Sequence, residues 1–143
     1  MKRLIEIENP FTSLEGYNCI GCSPNHQHGL RLKFFYDKED DAVLSFLDGI
    51  NDDFSGFPGI VHGGIQGLLL DEIMFWIIYQ KYKIVTVTAS INIKFKKTVK
   101  TNEKLTIKAK LKEEIRGKIF KTEGFILKGD EILVYSEGVY IKA

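Results

Sequence analysis

GGIQGLLLDEIMFWIIYQK, residues 63–81, is the stretch on which the fold turns. It holds no proline and no glycine after Gly67, and it is long enough for about five helical turns. Its apolar side chains run almost all the way round, the mark of a helix buried on every side. Asp71 and Glu72 interrupt it, and it is too short for a membrane span. After Lys83 the period changes to two. Val85, Val87, Ala89, Ile91, Ile93 and Phe95 alternate with Thr86, Thr88, Ser90, Asn92, Lys94 and Lys96, which predicts a long strand with one buried face. By that parity Thr88 points away from the helix unless the strand bulges near its start. Three more strands are expected over residues 104–112, 118–127 and 132–141. Between them lie 114–118, with Gly117, and 128–131, with Gly129-Asp130, which have hairpin-turn chemistry. Upstream, 30–36 and 42–47 read as strands around an acidic turn. Residues 9–29 and 48–61 read as loops, the first with room for one short helical turn. One apolar helix and a mostly antiparallel sheet must bury each other, so the expected class is α+β, with the sheet curled around the helix.

Composition narrows the function. The 143 residues are expected to form one domain, 1–143, with a core that needs no metal or disulfide staple. Twenty basic against 19 acidic side chains, net +1, argue against a strongly basic nucleic-acid binder, and no motif for nucleic acid or membrane is present. Two cysteines are too few for a disulfide scaffold. The opening MKRLIEIENPF has no long apolar core after its charged start, so no secretory signal is read and a cytoplasmic setting is expected. Charge is uneven: residues 81–121 carry 13 basic and 3 acidic groups. Such a stretch could attract a phosphate-bearing ligand, although strands with lysine on their wet face look the same.

Asp71 and Glu72 are anomalous in a buried helix, with no Lys or Arg within one turn on either side. They lie about 100° apart around the axis and cannot share one environment. An uncompensated buried carboxylate is costly, or its pKa rises toward neutrality, which suits a general base or nucleophile. Asp71 is assigned that role. Glu72 is assigned to a solvent gap or to a neighbouring chain. The Gly63-Gly64 pair at the helix start would let a ligand approach bare N–H groups that can polarise a carbonyl and hold an oxyanion. Gly64 and Asp71 are seven residues apart, about 10 Å along the axis. If both serve one reacting atom, they must come from antiparallel helices of a symmetric dimer.

Ile60-Val61-His62-Gly63-Gly64 followed by Leu69-Leu70-Asp71-Glu72 resembles the His-Gly-Gly and helix-carboxylate pattern of hotdog-fold acyl-CoA thioesterases of the phenylacetate-degradation type. Phe54-Ser55-Gly56-Phe57-Pro58-Gly59, Asn18-Cys19-Ile20-Gly21-Cys22 and Gly29-Leu30-Arg31-Leu32 are similar to one branch of it, and Ser90-Ile91-Asn92-Ile93-Lys94-Phe95 to its strand after the helix. The resemblance spans about residues 18–143. It implies a sheet wrapped around one long helix, assembly as homodimers or dimers of dimers, an acyl-CoA substrate and hydrolysis of its thioester. It maps the base or nucleophile onto Asp71, the carbonyl-polarising N–H onto Gly63 or Gly64, and an assisting hydroxyl onto Thr88. Many members place an Asn six residues before the His, where this chain has Gly56. His62 would orient substrate or the partner chain's Asp71, or would only shape the helix entry.

Coenzyme A phosphates would meet Lys94, Lys96, Lys97 and Lys100, with Arg31 and Lys33 as alternatives. Met74 and Phe75 would help line an acyl channel. Cys19-x-x-Cys22 is half of a zinc site that His26 or His28 would have to complete. The four are read instead as loop residues, and neither metal nor cofactor is expected. Two other chemistries are open to this pattern: an acyl-thioester hydratase or dehydratase pairing His62 with the partner chain's Asp71, and a non-catalytic acyl-CoA-binding module.

Overall fold

Helix α1, Gly63–Tyr82, starts at His62 and stops where Lys83 turns left-handed, φ 54°. The computed structural model, which describes residues 3–143, curls one seven-stranded antiparallel sheet around it. The strands in chain order are β1 (Leu4–Ile7), β2 (Phe34–Asp37), β3 (Ala42–Leu47), β4 (Thr86–Phe95), β5 (Leu105–Ile115), β6 (Ile119–Lys128) and β7 (Glu131–Lys142). In space they run β1-β2-β3-β5-β6-β7-β4. Leu69, Leu70, Ile73, Met74, Trp76, Ile77 and Ile78 are all fully buried, as the all-round apolar helix requires. Glycines let the helix come close to the sheet. A Cβ on Gly138 would lie 3.1 Å from Met74 Sδ, and one on Gly124 would lie 3.1 Å from Met74 Cγ. No helix among the described residues is long and apolar enough to cross a membrane.

Three elements depart from expectation. The strand expected over 30–36 begins only at Phe34, because Arg31 is left-handed at φ 51°. The Leu30 and Leu32 N–H groups bond instead to the carbonyls of Ile20 and Gly21, at 2.8 and 2.9 Å. Strand β5 runs on to Ile115, and the turn tightens to Arg116-Gly117, both at positive φ (54° and 66°) as a type I′ hairpin needs. Strand β1 was not expected at all. It is four residues long and pairs with β2 at the sheet edge, Leu4 opposite Asp37 and Ile7 opposite Phe34.

Asp37 anchors that edge. Arg3 Nε donates to its Oδ1 at 2.7 Å, and the N–H groups of Glu39 and Asp40 donate to the same oxygen at 3.0 and 3.2 Å. The Arg3 hydrogen bond above all, seconded by these N–H groups and opposed by burial, brings Asp37 down from 3.8 to about 2. A depressed carboxylate stabilises the fold fully above its unfolded pKa, and that contribution fades as pH falls from 3.8 toward 2. Asp37→Asn should therefore flatten the loss of stability between about pH 4 and about pH 2 in urea titrations. An unchanged acid limb would assign the loss to other groups.

The most consequential departure lies in β4. Thr88 pairs with Tyr140 but Ser90 pairs with Val139, so Ala89 is an extra residue in the strand. Such a bulge switches side-chain parity. Before it, Thr86 is buried and Val87 is 56% exposed; after it, Ile91 and Ile93 pack against the core. A single alternating face from Val85 to Phe95 is thus overturned: Val85, Val87 and Phe95 all lie in the exposed class. Strand β4 also ends the sheet, with one side of its backbone unpaired in this chain.

Candidate active site

The bulge delivers Thr88 to Asp71. Its Oγ1 donates to Asp71 Oδ1 at 2.8 Å. Tyr140, opposite Thr88 across the β4–β7 ladder, donates its hydroxyl to the same oxygen at 2.7 Å and reaches the Asp71 carbonyl at 3.3 Å. Two hydroxyls from adjacent strands therefore fix one carboxylate oxygen. The other, Oδ2, takes no hydrogen bond among the described residues. Tyr140 is 1% exposed. Burial first, then the Asp71 carboxylate, pushes its hydroxyl well above the ordinary tyrosine range, so it acts as a donor.

Tyr140 escaped the sequence reading. The available signal was its parity, since Val134, Ser136, Gly138 and Tyr140 all face inward on β7. A buried phenol needs a partner for its hydroxyl, and the helix offers Asp71.

At the other end of the helix, His62 Nδ1 accepts the Gly64 N–H at 2.8 Å. The ring therefore carries its proton on Nε2. Of the two glycine N–H groups, Gly64's is engaged, and Gly63's has no acceptor among the described residues. A Cβ on Gly63 would meet only the Phe95 ring, at 3.8 Å, so packing within this chain does not demand glycine there. Gly56 has an internal reason: a Cβ would lie 3.3 Å from both Cα and Cδ2 of His62. The asparagine common at that position would crowd the capping ring. His62 and Gly64 border a depression of their own with Ser55 and Ile65. Within one chain neither glycine meets Asp71.

Asp71 and Thr88 open instead on a cavity of about 510 Å³ with apolar walls from Phe11, Leu14, Phe75 and Val87. Met74 does not line it; it is fully buried against Gly124 and Gly138. Lys97 pairs with Glu131, Lys96 lies over the Tyr135 ring at 5.8 Å, and Lys94 is exposed. All three sit toward the Phe95 end of β4, the end nearest Gly63, rather than beside Thr88. Arg31 is committed to the carbonyls of His26 and Gln27, at 2.8 and 3.0 Å.

Glu72 departs from expectation in its partner. It borders the cavity, but its partner lies within this chain rather than in another, since Cys19 Sγ hydrogen-bonds its Oε1 at 3.2 Å. The turn that carries the cysteines closes over it so tightly that a Cβ on Gly21 would fall 2.5 Å from its Cγ and Cδ. Burial, reinforced by Cys19, pushes Glu72 up to about 8. Hydrogen bonding from Cys22, thiol before N–H, brings Cys19 down to about 5 against the effect of burial. Cys22 is 6% exposed, and the hydrogen bond to Cys19 together with burial pushes its thiol up. Neither histidine of the loop joins them, since the group is Cys19, Cys22 and Glu72. His26 Nδ1 is taken by the His28 N–H at 3.1 Å.

The family model of the thioesterase superfamily matches residues 58–135. No curated protein matches the chain. Among solved structures, a thioesterase superfamily protein superposes with a TM-score of 0.76 at 23% identity; the match covers 87% of this chain but 60% of that one. A phenylacetic acid degradation-related protein from Ralstonia eutropha gives 0.64 at 19% identity, covering 73% and 79%. A Streptococcus mutans protein bound to acetyl-CoA gives 0.64 at 16%, covering 72% and 82%. At these identities the likeness is one of fold, and that fold is the hotdog, a sheet wrapped around one long helix.

Proposed function

Because the chain belongs to the thioesterase superfamily, we propose that it hydrolyses acyl-CoA thioesters to free acid and coenzyme A, with Asp71 as the base or nucleophile. One observation carries this reading. Asp71 has one oxygen pinned by Thr88 and Tyr140 and the other free, on the wall of an apolar cavity. As a base, Oδ2 takes a proton from water as the water oxygen bonds to the thioester carbon. As a nucleophile, Oδ2 bonds to that carbon and water then cleaves the mixed anhydride. In either route the carbon–sulfur bond breaks, the thiolate leaves and the acid is freed. Thr88 and Tyr140 hold the carboxylate in place rather than touch the substrate.

The oxyanion needs a donor that Asp71's own helix cannot bring, since Gly63 lies about 12 Å from Asp71 along the axis. The free Gly63 N–H of a second chain is that donor, with the two helices antiparallel. The unpaired edge of β4 and its exposed Val87 and Phe95 suit a symmetric contact. Lys94 and Lys96, near the Gly63 end, would then meet the coenzyme phosphates.

The test is thiol release from short, medium, long and aryl acyl-CoA esters, with Asp71→Asn as the blank for reagent consumed by Cys19 and Cys22. Turnover on at least one ester is expected. Saturable binding without turnover would make the protein an acyl-CoA-binding module instead. The shared site has its own check. Asp71→Asn and Gly63→Val are each expected to be inactive, and an equal, re-equilibrated mixture should recover about a quarter of wild-type activity, because half the dimers carry one intact site. No recovery on mixing would refute a site built from two chains.

A further inference from the structure

The thioester reading leaves the cysteine turn unused. Cys19 Sγ, Cys22 Sγ and a Glu72 carboxylate oxygen all lie within 4.8 Å of one another. Donors around one tetrahedral zinc ion stand about 3.5 Å apart, given bond lengths of about 2.0–2.3 Å, so a small contraction brings the three onto a common centre. We propose that Cys19, Cys22 and Glu72 form a site for one thiophilic divalent cation of the zinc class, with its fourth position open to the cavity beside Asp71. The proposal stands whether or not the chain hydrolyses thioesters.

The turn is built for it. Cys22 N–H donates to Cys19 Sγ at 3.4 Å, and Ser23 N–H closes the turn on the Cys19 carbonyl at 3.0 Å. The Tyr17 hydroxyl lies 2.8 Å from Cys22 Sγ. Asn9 Nδ2 holds that hydroxyl at 3.0 Å and the Cys22 carbonyl at 3.2 Å. Each sulfur thus has a neighbouring polar group that can donate to a thiolate and set its direction, as outer partners of metal ligands do. Gly21 is bare so that the Glu72 carboxylate can enter the turn.

Charge supplies the second argument. Glu72 takes part in no ion pair with Lys or Arg among the described residues. Its hydrogen-bond partner is Cys19 Sγ, and the two share a single proton. A cation that accepts sulfur and carboxylate together replaces that proton and neutralises the buried ligands at once. A Cys19–Cys22 disulfide would do the opposite, removing the thiol and leaving the glutamate without a partner.

The reduced, chelator-stripped protein is titrated with Co²⁺ and then displaced with Zn²⁺. Since the chain has two cysteines, a thiolate-to-cobalt charge-transfer band can arise only from Cys19 and Cys22. One Co²⁺ per chain with that band, bleached by Zn²⁺, is expected. Cys19→Ser and Cys22→Ser should abolish it, and Glu72→Gln should weaken Co²⁺ binding by at least about a hundredfold, more than the loss of an outer partner. His26→Ala should change nothing. Absence of the band in the reduced wild type overturns the proposal without recourse to any variant. Affinity unchanged by Glu72→Gln in a folded protein, judged by circular dichroism, overturns it too.

Discussion

Asp71→Asn is expected to lower thiol release by at least about a hundredfold, the usual scale for a general base, with little change in KM or stability. The substitution is selective. An asparagine carbonyl still accepts from Thr88 and Tyr140, whose hydroxyls meet at Oδ1, so the inward anchor survives. What is lost is Oδ2, replaced by an amide nitrogen that can neither take a proton nor attack a carbonyl. Thr88→Ala and Tyr140→Phe should each cost far less, because one hydroxyl remains: about 1 kcal/mol, or roughly fivefold in rate. A rate untouched by Asp71→Asn would move the chemistry to Glu72 or His62 and sink the present assignment.

Trp76→Ala should produce the largest loss of stability, about 3–5 kcal/mol, a large fraction of a typical domain's total of about 5–15 kcal/mol. Trp76 is fully buried. Its ring stacks on Phe34 with centroids 5.0 Å apart and meets Phe75 and Tyr79 edge-on at 5.5 and 5.6 Å. It also touches Phe11, at 5.7 Å, which ties the N-terminal segment to the helix. The indole N–H has no hydrogen-bond partner among the described residues. Trp76→Phe therefore keeps an aromatic ring while deleting an orphaned donor, and should cost no more than about 1–2 kcal/mol. Urea unfolding followed by circular dichroism measures both, since Trp76 is the chain's one tryptophan. Equal losses in the two variants would contradict this account of the aromatic cluster.

The parts that were legible in the sequence are those with long, regular periods. Residues 63–81 could only be a buried helix, and the three strands that end the chain repeat every two residues between clear turns. Asp71 stood out because a carboxylate is wrong for that helix. What stayed hidden depends on contacts distant in sequence. The bulge at Ala89 reverses the parity of β4, and no local feature of TVTASINIKF announces it. Tyr140 matters through Asp71, 69 residues away, and Cys19 meets Glu72 across 53. Residues 30–33 alternate like a strand, but the Leu30 and Leu32 N–H groups are claimed by the Ile20 and Gly21 carbonyls. The choice between Gly63 and Gly64 turns on which N–H the His62 ring occupies, and spacing carries no information on that.

Phe11, Leu14, Tyr17, Cys19 and Cys22 all border the cavity, yet they precede the stretch 58–135 that the superfamily shares. The wall is therefore composite: Phe75, Val85 and Val87 come from the shared stretch together with Asp71, and these five side chains from the segment before it. Substitutions in that N-terminal segment can reshape the cavity without touching the side chains that hold Asp71. A different cavity thus needs no rebuilding of the helix and strands behind it, only a new lining drawn across them.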